Sequence, residues 1–182
     1  MSEKSPIRKM DCEEKASKVR LLILDVDGVL TDGRIVIDDK GVESKSFNER
    51  DGHGLRLLMR TDIQVALLSG RESEATRHRA RELGISTVYL NVHDKIDVYR
   101  TVLEEHGLED AHVGYVGDDW VDLPILKRAG FSAVVADSVS ELKAFADHVT
   151  EKKGGRGAVR EVIELILRAQ GKWEEVTARY HQ

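Results

Sequence analysis

Cysteine, long apolar runs and surplus positive charge are all scarce in this chain, and each shortage removes a class of protein. The one cysteine, Cys12, has no partner for an intramolecular disulfide, and without a second thiol a structural zinc site is not expected either. A reducing compartment fits. No stretch approaches the roughly 20 consecutive apolar residues of a membrane-spanning helix, and the segment 1–18 is charged throughout, without the apolar core of a secretion signal. The expectation is a cytoplasmic protein with no membrane contact. A formal net charge of −5 argues against a nucleic-acid partner, because affinity for phosphate backbones comes mainly from clustered Lys and Arg. Lys152, Lys153 and Arg156 form only a local basic cluster beside glycines. Internal repeats and low-complexity tracts are missing too.

What is present is the balance of a soluble globular protein, 41% hydrophobic and 34% charged over 182 residues, enough chain for one packed domain. We assign that domain to residues 19–170, flanked by a charged segment 1–18 and a tail 171–182, and both ends look loose. Short apolar runs at Arg20–Leu24, Gln64–Leu68, Thr87–Leu90, His112–Val116 and Ser132–Val135 alternate with segments of helical period. That alternation is the mark of βαβ units. It predicts an α/β fold with an open, mostly parallel, Rossmann-like sheet and helices on both faces. Gly84, Gly107 and Gly130 stand where helices would stop. Val159, Val162, Ile163 and Ile166 have the spacing of an amphipathic helix. One segment breaks the pattern. Arg34–Ile37 and Val42–Phe47 flank the turn residues Asp38-Asp39-Lys40-Gly41, which predicts a β-hairpin over 34–47 that protrudes from the sheet.

In an open parallel sheet, ligands bind just past the carboxyl ends of the strands. Four polar groups fall there: Asp25-Val26-Asp27-Gly28 after the first run, Ser69-Gly70-Arg71 after the second, Lys95 after the third, and Gly117-Asp118-Asp119 with Asp122 after the fourth. They should converge on one crevice. If the chain stays extended, Asp25 and Asp27 point to the same side with Asp118 facing them. Carboxylates that close repel, and a hard divalent cation relieves the repulsion. Oxygen donors without Cys or His favour Mg²⁺ over zinc. Strand-end acids also cap helices or face water, but three strand ends and a lysine together point to a site. Phosphoryl transfer gives every group a task. Asp25 attacks phosphorus and becomes an acyl phosphate; Asp27 moves protons to the leaving alkoxide and from the attacking water; Ser69 and Lys95 hold the equatorial oxygens. Mg²⁺ would bridge Asp25, the phosphate and Asp118.

These stretches resemble a known family. LLILDVDGVLTDG is similar to the first motif of the haloacid dehalogenase superfamily, LLSGR to its second, Lys95 to its third and GDDWVD to its fourth, in the family's order. The resemblance implies that Asp25 is the nucleophile, that Asp27 is the acid–base and binds metal through its backbone carbonyl, that Asp118 is the remaining metal ligand, and that Asp122 supports the site from behind. The hairpin, the segment from Phe47 to Arg56 and the tail GGRGAVREV further resemble the phosphatases of 3-deoxy-D-manno-octulosonate 8-phosphate. That group lacks a cap domain, forms homotetramers and serves lipopolysaccharide biosynthesis. It implies a small phosphorylated sugar acid as substrate, touched by Asp27, Asn48, Arg50, Asp51, Gly52, Arg56, Arg71, Arg79 and Lys95.

A structural or regulatory homologue that has lost activity is disfavoured because all the catalytic positions are filled, and two other rivals stand beside this reading. One keeps the chemistry and changes the substrate to a nine-carbon ketoacid 9-phosphate, or makes the chain like the domain fused to acylneuraminate cytidylyltransferases. Arg71 argues against it, because an acidic residue is expected there. Glu49, where the family more often has an apolar residue, leaves the question open. The other is a non-catalytic phospho-acceptor module such as a receiver, whose acceptor Asp would follow the third strand; here that strand ends in Leu90-Asn91-Val92. Among weaker signals, His53 between glycines is ordinarily only exposed. Trp120 suits either a pocket mouth or a subunit contact. Gly154-Gly155-Arg156-Gly157 is either a flexible connection or a flap over an active site.

Overall fold

The computed structural model describes residues 6–181, with side chains from Asp11 onward. Its centre is a strand with no polar face. In β1 (Leu21–Leu24) all four side chains are buried, Leu22 and Leu24 on one side and Leu21 and Ile23 on the other, so helices must cover both sides. β4 (Gln64–Leu68) and β6 (Val113–Gly117) flank it in parallel, with Leu24 opposite Leu67 on one side and Val116 on the other. β5 (Thr87–Tyr89), β7 (Phe131–Val134) and β8 (His148–Val149) complete a six-stranded parallel sheet in the order β5-β4-β1-β6-β7-β8. The chain therefore winds away from β1 in both directions, and a crevice opens beside its carboxyl end.

One face is packed by α1 (Pro6–Ser17), α2 (Glu49–Leu58), α3 (Glu74–Leu83) and α6 (Ala158–Ala169). The other face is packed by α4 (Lys95–His106) and α5 (Leu123–Leu126), with Tyr99, Val102 and Ile125 wholly buried. The apolar stripe expected on α6 is there: Val159, Val162, Ile163, Ile166 and Leu167 are fully buried against α2 and α1. α3 and α4 end at Gly84 and Gly107 in left-handed conformation, as expected. Gly130 does something else. α5 stops at Leu126, and Gly130 is required by space, since a Cβ there would sit 2.5 Å from the Ala111 carbonyl oxygen.

The ends differ from expectation as well. α1 tucks Cys12 and Ala16 into the core, and Gln170 donates to the Val19 carbonyl at 2.8 Å. Beyond Gly171 the chain forms α7 (Trp173–Thr177), which buries Val176. Small residues four apart in a charged helix make a weak periodic signal, which is why α1 reads as loose. β8 is too short to show a period at all.

The hairpin is present, but its ladder is brief. β2 (Val36–Ile37) and β3 (Glu43–Ser44) pair antiparallel over two residues each. Asp38 Oδ1 accepts from the backbone of Lys40 and Val42, and Gly41 takes the positive φ that closes the turn. The expected longer second arm leaves the ladder because its inward side chains bond to the domain body. Among the described residues no cap domain is inserted, and no helix is long and apolar enough to cross a membrane.

Candidate active site

The loop after β1 is folded by its own backbone. The amides of Val29, Leu30 and Thr31 all donate to the Val26 carbonyl, while Thr31 Oγ1 accepts from Gly28 and Gly33. Gly28 adopts φ 95°, and a Cβ there would overlap Asp118 Oδ2 at 2.0 Å. Glycine thus lets the β1 loop and the β6 loop meet.

Around that meeting point lies a cleft of about 300 Å³ lined by Asp25, Asp27, Ser69, Gly70, Arg71, Lys95, Asp118 and Asp119, with Val92, His93 and Val121 at its sides. The four strand-end groups converge as the sequence predicts. A larger groove, about 690 Å³, opens at the opposite end of the sheet beneath Ile63, Gln64 and Thr87, without comparable convergence of charge.

Asp25 is 5% exposed; its Oδ1 accepts from the Val26 amide at 2.7 Å and lies 3.0 Å from Lys95 Nζ. Lys95, at the first turn of α4, also donates to Asp122 Oδ1 at 2.7 Å. Burial disfavours the Lys95 ammonium, but the two carboxylates outweigh it and raise its pKa. Asp25 is pushed up to about 6 by burial and by the charge of Asp122, against the pull of Lys95. Burial and the charges of Asp25 and Asp122 push Asp118 up to about 8. A pocket that strains its own carboxylates toward neutrality is short of positive charge.

One oxygen from each of Asp25, Asp118 and Asp122 lies within 4.8 Å of the others. Asp122 is nevertheless committed. Its Oδ1 accepts from Lys95 and from the Tyr115 hydroxyl at 2.5 Å, and its Oδ2 accepts from the amides of Asp118 (2.8 Å) and Asp119 (3.2 Å). It stands behind the site and orients the Asp118 loop. Asp25 and Asp118 remain as oxygen donors for a hard divalent cation, so the donor set fits Mg²⁺.

Asp27 departs from the extended-strand expectation. The chain turns after Leu24, and the Asp27 side chain leaves the carboxylate cluster to pair with Lys45 of the hairpin. Six further residues expected at the substrate stand outside the cleft lining. Asp51 is 1% exposed and accepts from the amides of Gly157 and Arg160, capping the start of α6. Gly52 is buried because the Arg79 guanidinium fills the space of its missing side chain. Arg79 itself pairs with Glu82 at 2.8 Å. Arg56 bonds the Glu82 carbonyl; Asn48 caps α2 and reaches the Gly155 carbonyl; Arg50 is exposed at the start of α2. Of the expected substrate contacts, this chain brings Asp27, Arg71 and Lys95 to the cleft.

His53 lies off the cleft, between Tyr180 and Arg160. Trp120 is half exposed in the turn after Asp119. The glycine tail is neither a loose connection nor a flap over its own cleft. It packs backbone to backbone on the β1 loop, with Gly155 donating to the Val29 carbonyl and no room for a Cβ at Gly154. Sequence reasoning missed Tyr115, hidden in an apolar run, and Lys45, whose only signal is the period of two it shares with Glu43 and Phe47.

A family model described as haloacid dehalogenase-like hydrolase matches residues 89–163. The 3-deoxy-D-manno-octulosonate 8-phosphate phosphatase KdsC of Escherichia coli K12 is 46% identical over 165 residues, which span 91% of this chain and 88% of that protein. The chain belongs to the KdsC phosphatases of the haloacid dehalogenase superfamily. Solved KdsC structures share the fold. The phosphatase of Moraxella catarrhalis, in complex with magnesium ion, phosphate ion and a KDO molecule, aligns with a TM-score of 0.91 at 39% identity, covering 93% of this chain and 98% of that one. The cobalt-bound enzyme of Haemophilus influenzae aligns with a TM-score of 0.86 at 42% identity, covering 91% and 97%. As in that family the protein is a phosphoric monoester hydrolase.

Proposed function

We propose that the protein hydrolyses 3-deoxy-D-manno-octulosonate 8-phosphate to the free sugar acid and phosphate, through an aspartyl-phosphate on Asp25. The observation that carries the reading is the buried Asp25, gripped at Oδ1 by Lys95 and the Val26 amide and facing Asp118 across the β1–β6 crevice. Its Oδ2 is then the oxygen that attacks phosphorus. The bond to the leaving oxygen breaks as Asp27 hands that oxygen a proton. Water next attacks the acyl phosphate, giving its proton back to Asp27, and Asp25 is regenerated. Ser69 and Lys95 hold the transferring oxygens, where charge must be stabilised. Mg²⁺, held by Asp25, Asp118 and the Asp27 carbonyl, supplies the positive charge that the cleft lacks. Arg71 meets the substrate carboxylate.

Assembly belongs to the same reading. Ile35, Val36, Ile37 and Val42 on the hairpin, and Trp120 and Val121 beside the cleft, are each at least half exposed, which suits a homotetramer built around the hairpin. A cytoplasmic role in lipopolysaccharide biosynthesis is part of the same proposal.

Phosphate release from a panel of sugar phosphates with magnesium present tests the proposal. The eight-carbon ketoacid phosphate should have the highest kcat/KM. Faster release from a nine-carbon ketoacid phosphate or from simple hexose phosphates would refute it.

A further inference from the structure

The second arm of the hairpin alternates as a strand should, but its inward side carries charge. Ser44 and Ser46 are exposed, while Glu43, Lys45 and Phe47 turn toward the domain. Phe47 alone would serve for attachment, packed against the core with the Arg79 guanidinium over its ring. Lys45 is instead a cation with its side chain 2% exposed, an unfavourable burial unless it is paired. Its ammonium pairs with Asp27 Oδ1 and lies 3.8 Å from Glu43. Glu43 in turn accepts from the Arg71 guanidinium at 3.0 Å. Burial alone would raise the Glu43 pKa, but the Ser73 hydroxyl, Arg71 and Lys45 together hold it below its ordinary value. The remaining oxygen of Asp27, Oδ2, is buried and has no hydrogen-bond partner.

Buried charges in this position make poor glue and good templates. An aspartate side chain rotates among staggered wells, and an acid–base group is effective only when its oxygen is held within reach of the proton it moves. We propose that Lys45 and Glu43 are positioning residues for the reaction. Lys45 locks Asp27 through Oδ1 and so fixes where the carboxyl group that exchanges protons with the leaving oxygen and the attacking water stands. Glu43 holds Arg71 at the cleft mouth, ready for the substrate carboxylate. The hairpin thereby sets both proton transfer and specificity, and the proposal rests on Asp27 being the acid–base group.

The test compares Lys45→Met, Lys45→Arg, Glu43→Gln and Asp27→Asn by rapid-quench phosphoenzyme formation, steady-state kinetics and melting temperature. Substrates are the eight-carbon ketoacid phosphate and p-nitrophenyl phosphate, whose phenolate leaves without a proton. Lys45→Met should slow phosphorylation by the sugar ester about 10²-fold, the cost of a misplaced group, while phosphorylation by the aryl ester barely changes. Lys45→Arg should recover much of the loss. Glu43→Gln should raise KM for the ketoacid ester and leave aryl-ester phosphorylation intact. Equal losses with both esters, or losses that track melting temperature alone, would make the arm a mere anchor and overturn the proposal. If Asp27→Asn is slow with the sugar ester and Lys45→Met is not, this inference fails while the acid–base assignment stands. If Asp27→Asn keeps full sugar-ester turnover, both fall.

Discussion

The strand-end cleft and the hairpin are held in opposite ways. Each cleft residue rides on an element whose place is set by parallel register: Asp25 follows β1, Ser69 follows β4, Lys95 opens α4 and Asp118 follows β6. Its buried charges share several partners, and Asp122 alone accepts from four donors. The hairpin has a ladder of two residues per strand and turns Ile35, Val36, Ile37 and Val42 outward. The strand-end groups are thus fixed by the sheet, while the apolar side of the hairpin stays exposed. Where a group must be placed to a fraction of an ångström, the rigid sheet supplies it.

The largest effect should come from the best-fixed residue. Asp25→Asn should abolish turnover of every phosphate ester and show no phosphoprotein by intact mass. Asp27→Asn should lose about 10² to 10⁴ in rate on sugar esters, yet accumulate phosphoprotein from p-nitrophenyl phosphate. Phosphate on the Asp25→Asn protein, or equal inertness of the two variants with both esters, would break the division of roles.

Next in size is the charge strain of the cleft. Asp25 at about 6 and Asp118 at about 8 both lie above their ordinary value of 3.8, so the folded, metal-free protein binds more protons than the unfolded chain across that window. Stability should therefore be greatest at the acid end and fall as pH rises from about 4 toward about 8. Magnesium should raise the melting temperature most at the upper end, and a chelator should remove both that gain and the activity. A metal-free melting temperature that rises with pH through the window would contradict this geometry.

Arg71 joins the two regions, lining the cleft while bonded to Glu43. Arg71→Ala should raise KM for the ketoacid phosphate by about 10-fold or more, in line with loss of a charge-assisted contact, and change p-nitrophenyl phosphate kinetics little. Equal losses on both would place Arg71 on the phosphate. The smallest effect on the fold belongs to the hairpin tip. Ile37→Lys, at an exposed site, should change monomer stability by no more than about 0.5 kcal/mol, while light scattering reports a smaller assembly than the unaltered protein. Unchanged mass would mean that the hairpin is not the subunit contact.

The groups that line the cleft were legible because a parallel strand covered on both faces must be an unbroken apolar run, so the polar residue that ends it stands out. Asp25, Ser69 and Asp118 are found in that way, and Lys95 by opening the next helix. The carboxylate cluster was read less well. An extended chain would put Asp27 beside Asp25, but the three amides that bond to Val26 bend the loop and send Asp27 toward Lys45. Asp51 caps α6, 106 residues away, a role hidden from the sequence because no local pattern shows which distant amides need an acceptor.

By itself the sequence determined the strand order's raw material, the amphipathic α6, the hairpin turn and the identity of the strand-end acids, since all of these depend on residues close together in the chain. Tertiary structure decided the pairings that span it: Lys45 with Asp27, Tyr115 with Asp122, Asp51 with α6, and α1 with the core. Burial makes an unpaired polar group costly, so each such group takes whichever partner the fold brings near. Only the folded chain can say which partner that is.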